Sequence, residues 1–199
     1  MWREPGGRPR RFTAVQHLAV DRVAFAWRAR FPIVPPFAIN VTDSYADGDG
    51  RLVVRMLGRT LQREQGPDMA VGEAMRYLAE LPWVPHAMER NRDLRWRELD
   101  DRRLEVTTRV GAETVGVMLA FDEAGDIVGA SSPARPLHRG DTWTPMAWGG
   151  AFSLYRELGG MRMPSAAEVY WDLPEGRYVY WRGEVVSAVA LEVPFEPEG

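Results

Sequence analysis

Cysteine and lysine are both absent from this 199-residue sequence, and each absence removes a class of chemistry. Without cysteine there is no thiolate nucleophile, disulfide, iron–sulfur cluster or cysteine-based zinc site. Because all 25 basic residues are arginine, Schiff-base catalysis and a phosphate-binding lysine are also excluded. The three histidines are scattered, so we expect neither a metal nor a cofactor, and we interpret His17 and His138 as structural or exposed.

The charge balance is mildly acidic, with a formal net charge of −3, which argues against a nucleic-acid partner. One basic cluster lies in residues 1–11, and we interpret it as a flexible tail; its arginines are Arg3, Arg8, Arg10 and Arg11. No apolar region of a secretory signal follows it, and the longest apolar run, 115–121, is too short to span a bilayer. We therefore expect a cytoplasmic protein without a membrane span, with residues 12–199 folded as a single β-rich domain.

Segments in which apolar and polar residues alternate recur along the sequence between turns rich in Asp and Gly. In one of them, Leu104, Val106 and Val110 fall on one face of a strand, opposite Arg103 and Glu105. Short strands joined by tight turns are typical of an antiparallel meander. The pattern predicts strands at 37–45, 51–61, 94–99, 103–110, 115–121, 168–173 and 177–191, with an earlier one around Phe25 and Trp27.

Two segments have helical rather than alternating spacing. Residues 12–20 predict a short helix, and residues 70–81 predict a longer amphipathic one. We expect Asp68 to cap the longer helix and Pro82 and Pro85 to end it. A sheet of many strands with one solvated face tends to curl. The sequence therefore predicts an α+β fold, a curled antiparallel β-sheet or partly open β-barrel with one or two helices on its concave face.

The longer predicted helix also carries a motif. Gly66-Pro67-Asp68, Gly72-Glu73 and residues 76–85 (RYLAELPWVP) resemble an uncharacterised bacterial family, a domain of unknown function. Further matches are residues 25–30 and 43–50, Trp96 with Asp100, Trp148-Gly149 with Phe152 and Tyr155, and Glu168-Val169 with Trp171. That family has no established activity, so the resemblance implies a shared fold and no particular function.

Residues 155–164 are similar to a strand–turn–strand element of lipoprotein-carrier-like proteins. Those carriers fold as incomplete, curled antiparallel barrels whose helices plug the concave side, and they bind acyl chains there. This resemblance implies, by analogy of fold, a half-barrel with an acyl-binding cavity. The chain departs from the uncharacterised family's pattern at His86, at Pro133 and Ala134 beside Arg135, and at Ala147, Gly149 and Ala151 around Trp148.

Four side chains are candidates for acid–base catalysis: Asp43, Glu73, Tyr77 and His86. His86 follows the helix beside aromatic and acidic residues, and an ordinary histidine pKa suits proton transfer near neutral pH. Glu73 either joins a solvated ladder with the charged residues three and seven positions on, or faces the sheet with Tyr77. In the second case burial would raise the pKa of Glu73. Asp43, at a predicted strand end, is either an acid or a cap of turn amides.

Aromatic residues are abundant, with eight Trp, seven Phe and six Tyr. Each alone is consistent with core packing, whereas together they favour an apolar cavity with Arg135 or Tyr77 as a polar anchor. The candidate ligand-binding residues are Trp27, Tyr45, Trp83, Trp96, Arg135 and Trp148.

Other sites are excluded by spacing. Asp43, Asp47 and Asp49 do not form a calcium loop, because the twelfth position is Val54 rather than Glu. The sequence contains no Gly-x-Ser-x-Gly nucleophile elbow and no dinucleotide-binding fingerprint.

Three functions fit these observations. The first is binding of a hydrophobic small molecule or acyl chain in an apolar, Trp-rich cavity. The second is a metal- and cofactor-independent enzyme (an isomerase or cyclase, a lyase or a hydrolase) that uses the acid–base candidates. The third is a structural or interaction module. A carrier needs a dry tunnel, whereas the enzyme needs at least two titratable groups within hydrogen-bond reach.

Overall fold

The computed structural model describes residues 7–191 and Phe195, and the described chain forms two antiparallel sheets and a helical segment between them. The first sheet contains β1 (Thr13–Leu18), β2 (Phe25–Pro32), β3 (Ala38–Ala46), β4 (Asp49–Met56) and β5 (Arg59–Gln65). The second contains β6 (Arg95–Asp100), β7 (Arg103–Val110), β8 (Glu113–Phe121), β9 (Ile127–Arg139), β10 (Thr142–Leu158), β11 (Met161–Leu173) and β12 (Gly176–Glu184). In each sheet, neighbours in space are neighbours in sequence.

The helical segment connects the two sheets. It consists of α1 (Pro67–Ala79), a 3-10 turn (Leu81–Trp83) and α2 (Pro85–Arg90). The α1 helix contacts β3, β4 and β5 of the first sheet and β7 to β10 of the second, so the core lies around this helix. The α+β, antiparallel prediction is confirmed at this level. The prediction of one curled sheet is wrong in one respect, because the chain builds two sheets that do not close into a barrel.

The predicted alternation decides which side chains are buried. In β8 the buried residues are Val115, Val117 and Leu119, and in β7 they include Val106 and Val110. These side chains face the core, while the residues between them are more exposed. The period-two pattern therefore gave the inner face of these strands correctly.

Two sequence predictions about strands are wrong. Within residues 12–20 the segment Thr13–Leu18 forms β1 rather than a helix, because each of its residues pairs with one of Phe25 to Arg30 on β2 and this pairing outweighs the helical spacing. The predicted strand 51–61 is two strands, β4 and β5. The turn between them places Leu57 at a φ of 52° and Gly58 at 76°, and a positive φ is rare for leucine, so the turn carries no sequence signal.

The α1 helix is confirmed, although its ends differ from the prediction. Gly66 rather than Asp68 is the N-cap, Pro67 occupies the first turn, and Asp68 lies within that turn, where its charge favours the helix N-terminus. Pro85 does not end a helix; it begins α2, because a proline at the first helical position needs no hydrogen-bond partner for its nitrogen.

The predicted flexible tail, residues 1–11, is only partly included in the described part of the structure. Residues 1–6, with Arg3, lie outside the described residues, and residues 7–12 belong to no strand or helix. The flexibility of this tail stays a prediction. Within the part of the chain that the structure describes, no helix is both long and apolar enough to cross a membrane.

A glycine on β4 allows α1 to approach the first sheet. A Cβ atom added to Gly50 would lie 2.8 Å from the Ala70 Cα and 2.8 Å from the Met69 carbonyl oxygen, and these backbone atoms cannot move aside easily. We expect Gly50→Ala to lower the free energy of unfolding by about 1–3 kcal/mol, as overpacking does. Chemical denaturation measures this change. Gly129→Ala is the matched control, because its nearest contacts would be ordinary ones at 3.7 Å or more, and equal losses in both variants would contradict the explanation.

Candidate functional site

Five charged side chains meet where α1 lies between the two sheets. We call them the buried charged cluster: Asp43 on β3, Glu73 and Arg76 on α1, Glu80 at the C-cap of α1, and Arg135 on β9. The side chains of the five are between 6% and 17% exposed, so the cluster is shielded from bulk water. Fully enclosed charges are costly unless they are paired, which makes each contact in the cluster important.

Local structure explains how the cluster assembles. Glu73 and Arg76 on α1 and the C-cap residue Glu80 are three and four positions apart, so they lie along one side of the helix. Asp43 is in the middle of β3, on the same strand face as the buried Tyr45. It is not at the predicted strand end, because β3 continues to Ala46.

Arg76 is the central cation of the cluster. Its guanidinium donates a hydrogen bond to Asp43 Oδ2 and another to Glu80 Oε1 at 2.8 Å. Its Nη1 atom is 3.8 Å from Glu73 Oε2, which is an ionic contact but too long for a hydrogen bond. Gln16 Nε2 donates to the second oxygen of Glu80 and covers that end of the cluster.

Arg135 pairs with the other side of Glu73. Its Nη2 atom donates to Glu73 Oε1 at 3.1 Å, and its Nε atom donates to the backbone oxygen of Gly72 at 3.0 Å. This arginine thereby joins β9 of the second sheet to α1, as Arg76 joins α1 to the first sheet.

Aromatic rings cover both guanidinium groups. The Arg76 guanidinium carbon lies 4.7 Å from the Phe25 ring centre and 5.3 Å from that of Trp27. The Arg135 guanidinium carbon lies 4.6 Å from the Trp148 ring and 5.5 Å from the Trp171 ring. Such cation–π contacts stabilise buried guanidinium groups and exclude water from them.

The two buried carboxyl groups are incompletely paired. Asp43 Oδ1 and Glu73 Oε2 have no hydrogen-bond donor among the described residues when both groups are ionised. Burial, followed by the negative charge of Asp43, raises the pKa of Glu73 to about 8. Burial also raises the pKa of Asp43, and the Arg76 guanidinium beside it offsets part of that rise. The two carboxyl groups are within hydrogen-bond reach of each other, and because neither is a donor when ionised, a bond between them requires one proton.

The charges of the cluster balance in that same state. Three carboxyl groups, those of Asp43, Glu73 and Glu80, face two guanidinium groups, those of Arg76 and Arg135. One proton on Glu73 leaves two negative and two positive charges. The electrostatic requirement and the hydrogen-bond requirement therefore both favour one proton on the carboxyl pair, and the closer pairing of Asp43 with Arg76 favours Glu73 as the group that holds it.

The side chains of the other two acid–base candidates, Tyr77 and His86, make no hydrogen bond to the buried charged cluster among the described residues. Tyr77 is fully buried, but its hydroxyl donates to the Ala19 oxygen at 2.7 Å and accepts from Asn91 Nδ2 at 3.0 Å. Burial raises the pKa of Tyr77. His86 lies on α2 with an exposed side chain. The structure thus brings together Asp43 and Glu73 and assigns Tyr77 a hydrogen-bonding role in the core.

Some of the predicted ligand-binding residues belong to the buried charged cluster or cover it, and others lie elsewhere. Trp27, Trp148 and Arg135 belong to the cluster or its aromatic cover. Trp83 donates from Nε1 to the Pro164 oxygen at 3.0 Å, whereas Trp96 is 39% exposed on the edge strand β6. Tyr45 is buried close to Asp43 on β3, and burial raises its pKa.

A row of aromatic rings, the aromatic seam, crosses from the first sheet to the second. It consists of Phe12, Trp27, Phe31, Trp83, Phe152 and Trp181, with neighbouring ring centres 5.2–6.2 Å apart. A surface groove of about 280 Å³ adjoins the seam at Phe152 and is also lined by Ala167, Glu168, Arg182 and Gly183. The Trp181 ring lies directly over Gly183, where a Cβ would be 2.4 Å away.

Sequence reasoning missed two parts of the site. Arg76 entered only as a member of a helix ladder, although it is the central cation. Tyr180, whose hydroxyl accepts from Trp148 Nε1 at 3.1 Å, was not singled out. The alternation of Tyr178 and Tyr180 along β12 was the available signal for an inward-facing tyrosine.

The histidines and acidic loop residues do not form a metal site. His138 lies on strand β9 rather than in a loop; its ring stacks on Trp143, and its Nδ1 is 3.4 Å from Glu64 Oε2. His17 lies on β1, not on a helix. Among the described residues, no group of three or more His, Asp or Glu side chains is placed to hold a metal ion.

Fold and site together define an α+β protein whose two antiparallel sheets enclose a pair of buried carboxyl groups. The chain belongs to a family of unknown function, DUF6544, whose sequence signature matches residues 1–183. The predicted membership of an uncharacterised family is thereby confirmed. No curated protein and no solved structure matches the chain.

Because the pKa of Glu73 is raised in the folded protein, the free energy of unfolding should depend on pH. In the unfolded chain this group has its ordinary pKa of 4.5, and in the folded protein about 8, so between these values the folded state holds a proton that the unfolded state has lost. The free energy of unfolding therefore falls as the pH rises through this interval, by up to about 1.4 kcal/mol per pH unit, and levels off above it. Denaturant unfolding between pH 5 and 9 measures this slope.

Glu73→Gln removes the titration and keeps the hydrogen bonds. The amide oxygen still accepts from Arg135, and the amide nitrogen donates to Asp43, as the protonated acid does. We expect this variant to lose that part of the slope and to be more stable than the unmodified protein above pH 8. Glu105→Gln, at a carboxyl paired on the surface with Arg97, is the control and should keep the slope. Equal slopes in the protein and the Glu73→Gln variant would contradict the assignment.

Proposed function

We propose that this protein is an acid–base enzyme that acts on a hydrophobic small molecule, with Asp43 and Glu73 transferring the protons. The observation that carries the proposal is the pair of buried carboxyl groups, each with one oxygen free of donors while both are ionised. An ionised and a protonated carboxyl group side by side provide a base and an acid in one site. This meets the requirement for two titratable groups within hydrogen-bond reach.

The roles follow from the environment of each group. Asp43, whose ionised form the Arg76 guanidinium stabilises against the effect of burial, is the general base, and Glu73, protonated near neutral pH, is the general acid. Removal of a proton by Asp43 and delivery of a proton by Glu73 leaves the proton on the other carboxyl group, and its transfer between the two restores the starting state. Isomerisation and cyclisation are the reaction classes that this exchange favours, because they consume no water and release no proton.

The surroundings support an apolar substrate. The Phe25, Trp27, Trp148 and Trp171 rings that cover the two arginines present a mostly apolar wall beside the carboxyl pair. Arg76 and Arg135 are balanced by the cluster's own carboxylates, so a second anion gains little there. A neutral molecule with one polar group fits this arrangement better than a charged one.

Turnover by variants tests the proposal. The protein is incubated in D2O with a panel of neutral lipophilic ketones, enones and lactones, and deuterium uptake and rearranged products are followed by mass spectrometry. We expect the unmodified protein to process at least one compound, and Glu73→Gln and Asp43→Asn each to reduce the rate by about 100-fold or more, as removal of an acid or base does. The rate should also fall as the pH rises through about 8, where Glu73 loses its proton.

His86→Ala is the matched control, because His86 is titratable but exposed on α2. It should keep the full rate. A rate that depends on His86 but not on Glu73 would contradict the assignment, and failure to alter any compound of the panel would count against the enzyme as a whole.

The second candidate is binding of a hydrophobic molecule or acyl chain without turnover, as fold analogy with half-barrel carriers suggests. The specific observation in its favour is the aromatic seam, with the groove that adjoins it at Phe152. If this function is correct, native mass spectrometry of the purified protein shows an added mass that denaturation releases chemically unchanged. Phe152→Ser should lower the occupancy, and Leu154→Ser, at an exposed leucine on the same strand, should not. Full occupancy in the Phe152→Ser variant would exclude the seam as the site.

A further inference from the structure

One end of the first sheet is both apolar and basic. At this end the loop between β2 and β3 and the turn between β4 and β5 lie side by side, because β3 and β4 are paired with Ile39 opposite Met56. These connections and the start of β5 expose five large aliphatic and aromatic side chains, which we call the apolar tip: Ile33, Val34, Phe37, Leu57 and Leu61, each between 46% and 68% exposed. Exposed apolar residues grouped in this way mark interaction surfaces.

The exposure of the tip follows from an ordered loop. The Ile33 nitrogen donates to the Phe37 oxygen at 3.0 Å, and the Phe37 nitrogen donates to the Val34 oxygen at 2.7 Å. These backbone bonds close the loop on itself, so its side chains point outward. Arg30 Nη2 lies 3.5 Å from the Pro36 oxygen and places a cation beside the loop.

Arginines surround the apolar tip, and the described segments that build it contain no carboxylate. Arg30, Arg55 and Arg59 lie at the tip end of β2, β4 and β5, and Arg8 and Arg11 precede β1, whose first residue pairs with Arg30. The segments that build this end, 7–15, 28–42 and 53–63, contain no Asp or Glu. None of the ion pairs between described residues includes Arg30, Arg55 or Arg59.

The opposite end of the same sheet has the reverse charge. Asp21 lies between β1 and β2, Asp47 and Asp49 lie at the turn between β3 and β4, and Asp68 follows β5; all four are exposed. The charge of the sheet therefore changes from positive at the apolar tip to negative at the opposite end, in a chain whose net charge is −3. A negatively charged surface would attract the tip and repel the other end, which fixes one orientation.

We propose that the apolar tip docks onto an anionic lipid surface. Aliphatic side chains insert at the boundary between headgroups and acyl chains, and arginines bind lipid phosphates with several hydrogen bonds each. A nucleic acid would match the arginines but would leave Ile33, Val34 and Leu57 without partners, because base recognition uses stacking and polar contacts. The proposal concerns attachment to a surface, and it is independent of the chemistry assigned to the carboxyl pair.

Vesicle sedimentation tests the proposal with the full chain. The probes are vesicles of phosphatidylcholine alone and of equal parts phosphatidylcholine and phosphatidylglycerol, at low and high salt. We expect binding to the anionic vesicles that weakens at high salt, and little binding to the neutral ones. Arg55→Gln with Arg59→Gln should weaken the binding by about 30-fold, since each arginine near an anionic surface contributes roughly a fivefold increase in affinity.

The apolar contribution is tested separately. Ile33→Ser with Val34→Ser should weaken binding by about tenfold or more without a change in the charge. The matched controls are Arg92→Gln with Arg109→Gln, two exposed arginines outside the first sheet, and Val186→Ser with Val189→Ser, two exposed apolar residues. Both controls should bind like the unmodified protein.

Each other outcome overturns the proposal. Absence of binding to anionic vesicles does so directly, and so does an equal loss in the control variants. Competition by double-stranded DNA, with the two serine substitutions without effect, would assign the arginines to nucleic acid instead. Arg59 is exposed and Arg55 is partly buried, and neither belongs to the core, so the arginine substitutions remain decisive if the serine variants are less stable.

Discussion

The arrangement of the two sheets depends on two polar contacts, the ion pair of Arg76 with Asp43 and the hydrogen bond from Arg135 to Glu73. Asp43 belongs to the first sheet, Arg135 to the second, and Glu73 and Arg76 to the helix between them. The same contacts enclose the carboxyl pair and place both arginines against aromatic rings. Loss of one partner would leave a buried charge uncompensated, so the fold and the site are coupled through these residues.

A cluster of this kind is a poor solution if stability alone is required. The free-energy cost of removing water from a buried ion pair is about as large as the gain from the attraction between its charges. Proteins with well-packed apolar residues of the same volume in its place are often at least as stable. Here the arrangement also leaves one oxygen of Asp43 and one of Glu73 without a donor until a proton is added. A proton held between the two carboxyl groups explains this feature, and the proposed enzyme would use that same proton in catalysis.

The parts of the structure that could be predicted are those governed by local spacing. The alternation of apolar and polar residues predicted the inner face of β7 and β8, and the helical spacing of apolar residues predicted α1. The burial of Glu73 could not be decided, because positions 73, 76 and 80 lie together on a helix whether it faces solvent or a sheet. The length of β1 and the turn at Leu57 depend on strand pairing and on an unusual backbone conformation, and neither leaves a pattern in the sequence. Exposed arginines are common, so Arg76 gave no sign of its central position.

The proton shared by Asp43 and Glu73 is the central claim, and carbon-13 NMR of the glutamate side-chain carboxyl groups tests it most directly. The full chain is labelled at these carbons and titrated with pH, and the spectrum of the Glu73→Gln variant identifies the signal of Glu73. We expect this carboxyl group to titrate near pH 8, well above its ordinary pKa, because burial and the Asp43 charge oppose its ionisation. Titration of Glu73 together with the exposed glutamates, close to the ordinary pKa of 4.5, would contradict it.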